Sequence, residues 1–262
     1  MKTITRLLST LALAAAFTAC GPERPAHINL EQAHNPLAQH ILAPGFGTIG
    51  LIRDGALHVY FQDDQGHWIP DDGSRFDLPP KNRGVIAMGM ATIGVVEGQE
   101  MNFYRISDNH RWEMVEGLSF EMPRRYDRLL SMNMNWEMAL LGVETDGRVV
   151  FYSHDGRKWV EEEGVAFVKP EGIKGIYSLG DMTLVIRDEQ KLGLYYHIPD
   201  TGWEFMEYEE YVLLLPEGAD GLVPVETRVV ALLKEGVLSF YQLDITNDRW
   251  NLLTGSDFQL PW

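Results

Sequence analysis

The stretch 103–117, FYRISDNHRWEMVEG, sets an aromatic pair ahead of a tryptophan that follows its tyrosine by eight residues. The same arrangement returns four times. It reads VYFQDDQGHWIPDDG from Val59, FYSHDGRKWVEEEG from Phe151, YYHIPDTGWEFMEY from Tyr195 and FYQLDITNDRWNLLTG from Phe240. The tryptophans Trp68, Trp112, Trp159, Trp203 and Trp250 are 44, 47, 44 and 47 residues apart, whereas Trp262 stands outside the register. Tyrosines Tyr60, Tyr104, Tyr152, Tyr196 and Tyr241 precede them. A third marker follows each tryptophan: FDLP, FEMP, FVKP, LLLP and FQLP, ending at Pro79, Pro123, Pro170, Pro216 and Pro261. Three markers in one register through five copies define a repeat architecture.

Each copy divides into short apolar runs broken by turn residues. In the second, VIAMGM, TIGVVEG, EMNFYRISD and RWEMVEG read as four successive strands. Asp54-Gly55, Asp146-Gly147 and Glu235-Gly236 supply turns between strands two and three. No helical period competes. Four strands per unit of about 45 residues is the β-propeller blade pattern. The expected fold is therefore all-β, a five-bladed β-propeller with four antiparallel strands per blade, after an N-terminal signal segment. The mean tryptophan spacing is 45.5 residues, so five units need nearly all of residues 35–262, which number 228. The predicted blades are 35–79, 80–123, 124–170, 171–216 and 217–262, with 20–34 as a tether that could add a closing strand to blade five. Adjacent aromatics such as Phe103 and Tyr104 point to opposite faces of a strand and should fill both inter-blade layers. The recurrent rings are thus read as packing groups.

The first residues have a different composition. Lys2 and Arg6 precede the apolar run Leu7–Phe17, and the small-residue end reads FTAC. This is the order of an export signal. Cys20 is the only cysteine in the chain and sits where cleavage is expected. Thr18, Ala19 and Cys20 resemble the lipobox of bacterial lipoproteins, with Phe17 in place of the usual leucine. The resemblance implies a signal peptide at 1–19 and lipid on Cys20. It also implies a cell-envelope location; with no aspartate after the cysteine, this is the outer membrane. Loss of Lys2 and Arg6 with the signal takes the formal charge from −16 to −18. So acidic a domain lacks the basic footprint of a nucleic-acid binder.

The propeller itself resembles tachylectin-like lectins and several glycoside hydrolase families in architecture and repeat length, without a shared active-site motif. No nucleophile turn, phosphate loop or histidine metal pair is present, so no catalytic, metal or cofactor residue is assigned. Glu226 and Asp181 are the one pair of acids near the hub strands, and glycoside hydrolysis needs two spaced carboxyls. The linkers PPKNRG and PRRYDR place Lys81, Arg83, Arg124, Arg125, Tyr126 and Arg128 on the face shared by linkers and strand two-to-three turns. These six form the candidate binding patch. The expected function is a lipid-anchored scaffold that binds a protein or acidic glycan; the alternative is a carbohydrate-active propeller.

Overall fold

A computed structural model describes residues 28–32, 35–45, 47–134, 139–206 and 209–261. The signal segment, Cys20 and Trp262 lie outside them. The described chain folds into five antiparallel sheets, each built from one uninterrupted stretch of sequence. In blade two the strands are Asn82–Gly89, Thr92–Glu97, Glu100–Ile106 and Trp112–Met114, paired in that order. A two-residue strand, Phe120–Glu121, returns to pair with the third strand, and blades three, four and five repeat this device. Blade one instead runs one long outer strand, Trp68–Asp77, past a bulge opposite Leu57–Val59. The strand two-to-three turns read from Asp-Gly and Glu-Gly are present. Asp54, Asp146 and Glu235 and the glycine after each all have positive φ, which matches the twist of a tight hairpin.

The core is five apolar layers, one between each pair of neighbouring blades. Phe103, 1 % exposed, faces blade three and stacks on Trp159 at 5.7 Å between ring centroids. Tyr104, next in sequence, faces blade one and meets Phe76 at 4.9 Å. Each repeat tryptophan reaches back to the preceding blade. Trp112 Nε1 donates to the Ser74 carbonyl, Trp203 to Val165, Trp250 to Tyr211, and Trp68 closes the ring by donating to Ser256. Trp159 keeps the ring contacts, but its Nε1 has no acceptor among the described residues. The indoles are half-buried, so they weld the outer part of each interface. Trp112→Ala should therefore cost about 3 kcal/mol. Trp112→Phe should cost about 1 kcal/mol, for the lost hydrogen bond. Urea unfolding of the two variants measures both.

One register differs from the sequence reading. In blade four Tyr195, not Tyr196, occupies the repeat position. His197 pairs with Trp203, as His154 does with Trp159 and Ile106 with Trp112, which sets Tyr195 level with Tyr152 and Tyr104. Tyr195 meets the marker Phe167 at 5.0 Å, and Tyr196 points outward, 43 % exposed. Two adjacent tyrosines look alike in sequence, but strand alternation allows only one of them to face a given layer.

Residues 28–32, assigned to the tether, lie inside the hub. Ile28, Asn29 and Leu30 are buried, and Asn29 bridges Val85 of blade two in parallel, away from blade five. The Ile28 carbonyl accepts from Val85 N, and Asn29 Nδ2 donates to the Ile41 carbonyl. The physical reason is that hub strands are sheet edges whose free backbone groups need partners, and this segment supplies them. Gly84 makes room for it. With φ of 135°, a Cβ there would sit 2.6 Å from Leu30 Cδ2.

Candidate functional site

The linker face holds the predicted patch, but not as one surface. Lys81, Arg124 and Arg125 are exposed, and Arg83 is half-buried with Nη1 donating to the Gly98 carbonyl at 3.3 Å. Tyr126 is buried in the layer between blades two and three. Arg128 does not belong to the exposed patch either. It opens the hub strand Arg128–Met134 and turns inward, 7 % exposed. Its Nη1 donates to the Ile176 carbonyl of blade four at 2.6 Å, its guanidinium lies 5.3 Å from the Tyr177 ring centroid, and its Nε is 3.6 Å from Glu144 Oε2. Glu144 is buried and also meets Lys169 at 3.6 Å. Arg128 is thus an inter-blade tie, and the exposed set reduces to Lys81, Arg124 and Arg125, with the half-buried Arg83 beside them.

The segment 28–40 enters and leaves at this same face. Ile28 lies against Gly84, near the linker end of the blade-two hub strand. Asn35 and Pro36 border a surface depression with Lys174, Arg187 and Asp220. Between these points the chain dips into the hub, where the turn Leu30–Gln32 forms a floor.

Above that floor is a cavity of about 540 Å3 that opens on the opposite face, among the strand one-to-two turns. Four of the five hub strands carry a register shift at this level, leaving Met88, Met132 and Val225 as extra residues in blades two, three and five. Bulges bend a strand locally, and here they shape the cavity wall. The mouth carries strained backbone. Met90 and Ala91 form a two-residue turn with φ of 48° and 53°, and Asp181 and Met182 form another with 45° and 54°. Non-glycine residues in this region cost about 1–2 kcal/mol each.

Glu31 stands on the floor. Its Oε1 accepts from Ser178 N at 3.3 Å, and its Oε2 has no hydrogen-bond partner among the described residues. Burial raises its pKa from 4.5 to about 8, against smaller opposing effects of the Ser178 bond and the Arg128 charge. Nothing in the sequence marked this residue, because Glu31 sits in a segment without repeat periodicity. Of the acid pair read near the hub, Asp181 is exposed in its turn at the mouth, and the Glu226 side chain lies outside the described residues. Among the described residues no three His, Cys, Asp or Glu side chains converge as a metal set.

No protein family and no curated protein matches the chain. Solved structures resemble it in shape. A 6-phosphogluconolactonase-like protein of Bacteroides fragilis is 11 % identical, with a TM-score of 0.39 over 82 % of this chain and 68 % of its own. The WD40 domain of SCAP from fission yeast is also 11 % identical, with a TM-score of 0.40 over 84 % and 55 %. The blade count rests on the chain's own five sheets.

Proposed function

We propose that the chain is a lipid-anchored scaffold of the bacterial cell envelope, held at the outer membrane through Cys20, whose basic linkers dock an acidic protein or glycan. The observation that supports this reading is the placement of Lys81, Arg124 and Arg125, exposed on the face where Ile28 enters the hub. Seven residues separate Cys20 from Ile28, a reach of at most roughly 28 Å over the eight steps when extended. The anchored face then carries this basic sector beside the acidic linkers at Glu171, Glu217 and Asp220, and it meets partners held close to the membrane surface. The glycoside-hydrolase form of the alternative requires two converging carboxyls, and Glu31 is the only acid lining the hub cavity among the described residues; the lectin form needs no such pair.

Two variants test the two halves of the reading. Wild type should incorporate a fatty-acid label and fractionate with membranes, and Cys20→Ala should do neither; an unlabelled, soluble wild type removes the anchor. Reversal of Arg124 and Arg125 to glutamate should abolish salt-sensitive capture of acidic partners, since exposed charge pairs are screened over about 8–10 Å at ordinary salt. Reversal of the exposed acids Glu161 and Glu163 to lysine is the control. Capture that survives the arginine reversal removes the docking role.

A further inference from the structure

We propose that the blind hub cavity is a binding site for a small uncharged ligand bearing a carbonyl oxygen, with the Glu31 carboxyl as the hydrogen-bonding group at its floor. The site is independent of the linker face and opens on the other side of the propeller. Its volume, about 540 Å3, falls within the range of small-molecule pockets, about 300–1,000 Å3.

The lining selects the ligand class by what it offers. Among the described residues it holds no lysine, arginine or histidine, so an anion would enter without a counter-charge. Among the described residues it also holds no aromatic ring to stack on a sugar or to cage a quaternary ammonium. Ala43, Ala87, Met88 and Leu179 give apolar contact, and Ser131 and Thr227 add hydroxyls. Among the described lining residues Glu31 is the single titratable group, and Arg128, on the adjoining hub strand, is the charge that acts on it.

Hydrogen-bond accounting fixes the polarity of the floor. The Glu31 pKa of about 8 makes the carboxyl neutral at ordinary pH. Oε1 is taken as the acceptor of Ser178 N–H. The proton therefore belongs on Oε2, which has no acceptor among the described residues. A neutral carboxyl donates one hydrogen bond, and Glu31 lines the cavity. A carbonyl oxygen entering from the mouth can accept that bond in place of water. An ammonium ion would instead require Glu31 to ionise and would add a second buried charge, whose desolvation offsets much of the pairing.

The probes are ε-caprolactam, cyclohexanone and N-butylacetamide, with cyclohexylammonium as the cationic counterpart, observed by saturation-transfer NMR on the folded chain. Neutral probes should bind at about pH 6 and weaken about thirtyfold by about pH 9.5, as only the protonated acid donates. Glu31→Gln keeps a donor of the same shape, so it should bind the neutral probes at both pH values. Glu31→Leu should bind them at neither, with near-UV circular dichroism showing that it remains folded. Three results overturn the proposal: no saturation transfer to any neutral probe at about pH 6, neutral binding that survives Glu31→Leu, or preferential binding of cyclohexylammonium that rises with pH and is lost in Glu31→Gln.

Discussion

Glu31→Gln should make the protein more stable above neutral pH, and the gain should grow as pH rises. The Glu31 carboxyl has a folded-state pKa of about 8 against an ordinary value of 4.5, with burial as the main cause. Between those values the native state holds a proton that the unfolded chain has released. Stability conferred by the neutral acid is then complete below about pH 4.5, declines through the interval, and is fully lost above about pH 8. At about 1.4 kcal/mol per unit the whole decline is about 5 kcal/mol. That is a large part of the 5–15 kcal/mol typical of a native domain. The glutamine variant has no ionisation to suppress. Urea midpoints of the two proteins should coincide near about pH 4.5 and separate toward about pH 8.5. Parallel pH profiles would show that Glu31 is solvated and that residues 28–32 do not seal the hub.

Arg128→Ala should cost about 3–5 kcal/mol, because it leaves a buried charge without its partner. Glu144 would retain only Lys169, and the Ile176 carbonyl would lose its donor. Combining Arg128→Met with Glu144→Gln should recover most of that loss, as expected for two groups of one network. By contrast, Arg124→Glu should change stability by no more than about 0.5 kcal/mol. Thermal or urea unfolding of the three variants separates an inter-blade tie from an exposed cation. An Arg128→Ala variant as stable as Arg124→Glu would return Arg128 to the surface patch.

These two residues mark where the sequence stops being informative. The blades were legible because repetition multiplies a weak signal. One aromatic pair proves little, but five in register with a tryptophan and a proline fix strand order, turn positions and the inter-blade placement of Phe103 and Tyr104. Even there a doubled tyrosine shifted one register by a residue, since composition cannot tell Tyr195 from Tyr196 and only the pairing of His197 with Trp203 can. Arg128 sits three residues from Arg125 in one basic linker, and nothing local says that one faces solvent while the other begins a hub strand. Its role depends on Glu144, Ile176 and Tyr177, which come from later parts of the chain. Glu31 is harder still. It lies in a stretch that occurs once, and its burial follows from five separate strands converging around it.

The way the ring closes has a consequence for how the protein is made. Four inter-blade layers join segments that are neighbours in sequence, whereas the fifth joins blade one to blade five, with Trp68 Nε1 reaching Ser256 across 188 residues. During synthesis or export, blades two to five can each dock on a partner already present. Blade one must wait, with Ile41, Leu51 and Tyr60 unpartnered on its outer side, until the last blade emerges. Unpaired apolar surface of this kind is what invites aggregation in incomplete chains. The first blade made is therefore the last one protected, and a truncation within the final blade exposes the beginning of the chain as much as its end.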